Sequence, residues 1–159
     1  MRAAFVALLA VAAGGCQPSP PPPPSQPVPF SHKLHVGQNL IGCGVCHSYT
    51  ARGPVAGIPT MARCNGCHRF VSADKPNVQK VNAAFEAGKP LEWNRVYVLP
   101  DHVYFTHERH IAAGLRCQQC HGPVEEMDVM HQVPPLSMGW CVTCHRQRGA
   151  STDCWTCHK

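Results

Sequence analysis

Apolar and polar positions alternate with little regularity in this chain. An apolar run from Ala3 to Ala13, with Phe5, Val6, Leu8, Leu9 and Val11, follows Met1-Arg2. It is too short to cross a bilayer and reads as a secretory signal peptide over residues 1–15. Gln17 to Pro29 is proline-rich and contains the run Pro20 to Pro24. Such a tract favours polyproline II, rising about 3.1 Å per residue, and predicts an extended spacer. Helical periodicity is clear only from Pro76 to Ala87, where Val78, Val81 and Phe85 share a face. Asp74 lies near its start, Gly88 just past its end and Pro90 beyond, so a helix is predicted there. Arg95–Val98 and His102–Phe105 flank a Leu99-Pro100-Asp101 turn and predict a short hairpin. The rest carries neither period and is expected to be irregular.

So little periodic apolar surface cannot build an ordinary core in 159 residues, and the cysteines change the picture. Ten of the eleven fall in five copies of Cys-x-x-Cys-His: Cys43/Cys46/His47, Cys64/Cys67/His68, Cys117/Cys120/His121, Cys141/Cys144/His145 and Cys154/Cys157/His158. Each copy has the form of a c-type haem attachment site. The two thiols bond to the two vinyl groups of one porphyrin, and the adjoining histidine binds the iron. A single Cys-x-x-Cys also serves zinc sites and redox dithiols, but neither use requires a histidine directly after every second cysteine. Five covalently bound haem c groups are therefore expected, packed together as much of the core.

Cys16 is the cysteine left over. Ala13-Gly14-Gly15-Cys16 resembles the lipobox of bacterial lipoproteins, which implies a lipid anchor at Cys16 after export to the periplasmic side of a membrane. The formal charge of +5 needs no nucleic-acid partner, because ionised propionates would offset it.

The chain also repeats internally. Phe30-Ser31-His32-Lys33-Leu34-His35 matches Phe105-Thr106-His107-Glu108-Arg109-His110, and the approach to Cys64 from Ile58 parallels the approach to Cys141 from Leu136. The organisation predicted is a two-haem unit over 30–73, a connecting helix and linker over 74–92, and a three-haem unit over 93–159, preceded by the anchor and linker over 16–29. Histidines three apart on a helical turn leave the same face and can reach two neighbouring irons. His102, by contrast, reads as an ordinary surface or core histidine.

The Phe-x-His-x-x-His pairs ahead of the haem motifs resemble the class III multihaem cytochromes, the c3 and c7 group. The resemblance implies a mostly irregular, small-α fold with little β, organised around haems. It also implies second iron ligands. His32 would serve the Cys43/Cys46 haem and His35 the Cys64/Cys67 haem; His107 would serve the Cys117/Cys120 haem and His110 the Cys141/Cys144 haem. For the Cys154/Cys157 haem the c7 pattern expects a ligand near Met138, with His131 as the alternative. A thioether there would raise the potential.

From Trp93 onward, Leu99-Pro100-Asp101, Cys120-His121-Gly122-Pro123 and Leu136-Ser137-Met138-Gly139-Trp140-Cys141 are similar to the pentahaem subunit family of alternative complex III. That implies redox partner proteins, in particular a quinol-oxidising or molybdopterin-type membrane complex. Two function classes follow: an electron carrier with every iron doubly ligated, or a multihaem reductase with one open iron acting on a nitrogen or sulfur oxyanion. Six histidines beyond the five in the motifs favour the carrier over the enzyme.

Overall fold

The computed structural model describes residues 21–159, so the signal-peptide run and Cys16 lie outside the described residues. A π-helical turn over Lys33–Gln38 comes first, followed by α1 (Cys43–Cys46), α2 (Met61–His68), α3 (Pro76–Glu86), α4 (His107–Ala112) and α5 (Gln118–His121). A 3-10 turn (Val124–Glu126), α6 (Met138–Gln147) and α7 (Cys154–Cys157) complete the chain. The fold is helical and irregular, with no strand among the described residues.

The chain's own side chains make almost no core. Among the described residues Val28, Met61 and Met127 are the buried hydrophobics, while Leu40 and Trp155 are 82% and 79% exposed. Each haem motif instead sits on its own helical turn, and longer helices form where the flanking sequence allows. Helices α2 and α6 both begin at a methionine behind a Thr60 or Ser137 cap position, as the internal repeat requires. Ser137 Oγ accepts from the Trp140 N–H, satisfying one of the free donors of the first turn.

Helix α3 forms where the periodicity places it, with two differences. Its cap position is Lys75 rather than Asp74, because Pro76 occupies the first helical position, where its missing N–H costs nothing. It also packs on α2: Asn82 donates to the His68 carbonyl at 3.2 Å and accepts from Asn65 at 3.2 Å. Gly88, at φ +64°, ends the helix.

The expected hairpin over 95–105 is absent. The Val103 N–H closes a turn onto the Pro100 carbonyl, and the Tyr104 N–H donates to the Cys157 carbonyl at 2.7 Å. The second half of the intended hairpin takes its backbone partner from the last haem motif.

The proline-rich stretch is not a free spacer over its described part. Asn94 grips it with three hydrogen bonds: Nδ2 to the Ser25 carbonyl at 2.7 Å, the backbone N–H to Gln26 Oε1 at 3.0 Å, and its carbonyl from Gln26 Nε2 at 2.9 Å. Pro21 to Pro24 line a cleft with Arg95, Val96, Val98 and Gln132, and Val28 is buried to 3% exposure. Polyproline conformation leaves backbone carbonyls free for such an amide clamp.

Candidate haem-ligand site

The geometry of the site is carried by the histidines. In the first turn Phe30 stacks on His35, with centroids 4.4 Å apart and planes at 21°, and meets His32 edge-on at 4.9 Å. In the second, Phe105 lies against His110 at 4.6 Å and meets His107 edge-on at 4.8 Å. One aromatic ring thus holds two imidazoles on a common face in each repeat.

Seven imidazoles are oriented by a backbone carbonyl at Nδ1. The acceptors are Ser31 for His35, Gly57 for His47, Val71 for His68 and Pro54 for His107, and then Thr106 for His110, Ser151 for His145 and His102 for His158, at 2.6 to 3.1 Å. A carbonyl only accepts, so Nδ1 carries the proton and Nε2 keeps its lone pair. That tautomer is the one a metal requires.

The imidazoles also come in facing pairs. His35 faces His68 at 6.0 Å between ring centroids, His107 faces His121 at 6.3 Å, His110 faces His145 at 6.1 Å and His102 faces His158 at 5.6 Å. With metal–imidazole bonds of about 2 Å, two imidazoles on opposite sides of one metal have centroids roughly 6 Å apart. For the fifth motif histidine, His47, the neighbour is His32. Burial lowers the His32 pKa, and His47 and then His35 lower it further. His121 is pushed down to about 4 by burial, then by His107 and His47, and so is neutral and able to ligate above that pH. Each pair joins one motif histidine to one distant histidine.

These residues fit a covalently held haem better than the alternatives. All ten motif cysteines are free thiols rather than disulfides. No group of three or more His, Cys, Asp or Glu side chains that could hold a metal ion gathers among the described residues, which opposes a zinc cage. Burial raises the Cys46, Cys64, Cys117, Cys120 and Cys141 thiols.

Residues 103–159 match the family described as cytochrome c7 and related cytochrome c. The chain is a class III, cytochrome c7-like multihaem cytochrome. The cytochrome is also 29% identical, over 161 aligned positions covering 84% of its length and 77% of the relative's, to the menaquinone reductase multihaem cytochrome c subunit of Nitratidesulfovibrio vulgaris. It is thus an electron-transfer protein carrying haem c.

His102 stands where the sequence gave no sign of a ligand. Its ring faces His158, and its own carbonyl orients that ring. Met138 is 70% exposed at the first position of α6, and His131 Nδ1 turns back to the Val129 carbonyl at 3.2 Å. Met61, its repeat mate, is buried as packing. A Tyr-flanked histidine without a partner three residues away carries no local mark; only the Tyr104–Cys157 backbone bond reveals its place.

Proposed function

We propose that this chain is a pentahaem electron carrier in which every iron has two imidazole ligands: His47 with His32, His68 with His35, His121 with His107, His145 with His110, and His158 with His102. The observation that supports it is the set of facing imidazole pairs, each with one motif histidine. His102 takes the place that the c7 pattern would give to Met138 or His131. Haem c supplies a one-electron couple at each site. The chain's own residues attach it through ten cysteines, fix its axial imidazoles through backbone carbonyls, and leave no ligand position open for a substrate.

The partner is a membrane complex that exchanges electrons with a quinone pool, and the chain serves it as a carrier rather than as a catalyst. The multihaem subunit of a menaquinone reductase is its relative, which supports this reading. The chain works on the periplasmic side after export, with Cys16 as its lipid anchor. No helix among the described residues is long and apolar enough to cross a membrane.

The test is spectroscopic. Mass measurement of the purified holoprotein is expected to show five haems, and EPR of the oxidised protein only low-spin iron. A His102→Ala variant is expected to turn one haem in five high-spin, whereas Met138→Ala and His131→Ala leave all five low-spin. A high-spin, nitrite-sensitive signal in the unaltered protein would establish the reductase reading instead.

A further inference from the structure

The histidine pairs and the contacts between motifs carry information about order. His32 and His35 share one turn, which ties the Cys43/Cys46 site to the Cys64/Cys67 site. His107 and His110 share α4, which ties the Cys117/Cys120 site to the Cys141/Cys144 site. Between these blocks, the loop after the first motif holds α4: His107 Nδ1 donates to the Pro54 carbonyl at 2.6 Å and the Glu108 N–H to the Gly53 carbonyl at 3.3 Å. In return the π-helical turn is held by the segment after the third motif, with the Lys33 N–H donating to the Met127 carbonyl at 2.9 Å. At the far end, His145 Nδ1 donates to the Ser151 carbonyl just ahead of the last motif.

The cysteines report the same neighbours. Apart from burial, the cysteines that raise Cys46 are Cys67 of the second motif and its own Cys43. Cys117 has Cys43 of the first motif beside it, Cys120 has Cys144 and Cys141, and Cys141 has Cys157. Exposure adds an independent sign: of the ten motif cysteines, Cys67 and Cys154 are the exposed ones.

We propose that the five haem sites form one unbranched row in space, in the order second, first, third, fourth, fifth, with the Cys64/Cys67 and Cys154/Cys157 sites at its two ends. The row rests on the five-haem reading above and goes beyond it by inverting the first two sites relative to the sequence. The Cys117/Cys120 site is then the bridge between the two repeats. Both ends meet solvent, so electrons can enter at one and leave at the other without passing through the interior twice.

The experiment removes one end at a time and reads potentials. In the full chain, Cys64→Ser/Cys67→Ser deletes the second site, Cys154→Ser/Cys157→Ser deletes the fifth, and the remaining four potentials are titrated with each site assigned by NMR. The charge lost at one site acts most strongly on its nearest neighbour. Loss of the second site is expected to move the first-site potential most and the fifth-site potential least; loss of the fifth is expected to move the fourth most and the second least. Equal shifts, or a largest shift at any other site, overturn the row. Where a deletion does not fold, His35→Met keeps both thioethers, raises the second-site potential and is read by the same ranking. A mass showing fewer than five haems in the unaltered protein sinks the five-haem reading, whereas five haems with the wrong ranking sink the order alone.

Discussion

Phe30 to Gly37 and Phe105 to Ala112 are matched segments that present two histidines each, yet one is wound as a π-helical turn and the other as α4. In the first, the Leu34 carbonyl accepts both the Asn39 N–H at 3.0 Å and Asn39 Nδ2 at 2.8 Å. In the second, the Ala113 N–H returns to the Arg109 carbonyl at 3.1 Å and Gly114, at φ +75°, ends the helix. The aromatic packing is nonetheless the same in both. The site therefore constrains the face on which the histidines emerge, and tolerates a change in hydrogen-bond register beneath them. What sets the register is tertiary. A Cβ on Gly37 would collide with the Glu125 carbonyl, so the 3-10 turn after the third motif presses directly on the first repeat. Widened turns of this kind recur at functional positions.

The largest break in this comparison is Gly37→Ala. Its repeat mate is Ala112, so the side chain is acceptable in α4 but not against the Glu125 backbone. A loss of about 1–3 kcal/mol is expected from overpacking, with high-spin signal growing at the first two sites, measured by denaturation and EPR. Ala112→Gly should cost only about 0.5–1 kcal/mol through chain entropy and leave the spin states alone. Equal effects of the two would show that the turns are interchangeable.

Next comes the shared aromatic support. Phe30→Ala and Phe105→Ala each remove a ring that touches two ligands, and each is expected to destabilise by about 2–4 kcal/mol, less than a fully buried phenylalanine at the upper end of its range. Because the packing matches, the losses should agree within about 1 kcal/mol on thermal unfolding. A much smaller loss for Phe30 would mean that Trp93, edge-on to it at 6.3 Å, takes over its role.

The sequence displayed some of this and not the rest. Haem attachment was legible because it is a covalent pattern within five residues. His32, His35, His107 and His110 were legible because a helical turn fixes their common face whatever its exact pitch. The His102 assignment, the Asn94 clamp on Ser25 and Gln26, and the missing hairpin were not, since each depends on backbone partners more than 50 residues away. Periodicity also foretold α3, whose start and end are marked by Pro76 and Gly88, but not its packing on α2.

The smallest effect concerns the outer clamp of the first turn. Asp128 accepts from Ser31 Oγ at 2.8 Å and pairs with Lys33 at 3.5 Å, and its pKa is lowered by the Ser31 hydrogen bond first and by Lys33 after it. A carboxyl with a depressed folded pKa stabilises above its unfolded value of 3.8, and that contribution is lost as pH falls through the folded value. Asp128→Asn should therefore reduce the gap in stability between neutral pH and pH 3 slightly, with no counterpart for α4, as acid-unfolding curves would show. An unchanged curve would place the clamp's whole effect in the Lys33–Met127 backbone bond.

The Asn94 clamp has a mechanical consequence for the cytochrome at a membrane. With the chain fixed to the body from Pro21 onward, only five residues separate it from Cys16, and a chain can span at most about 3.6 Å per residue. Anchored at Cys16, the haem body would ride within roughly 20 Å of the lipid surface. It would search for its partners by lateral diffusion in a thin shell, where confinement raises their effective concentration.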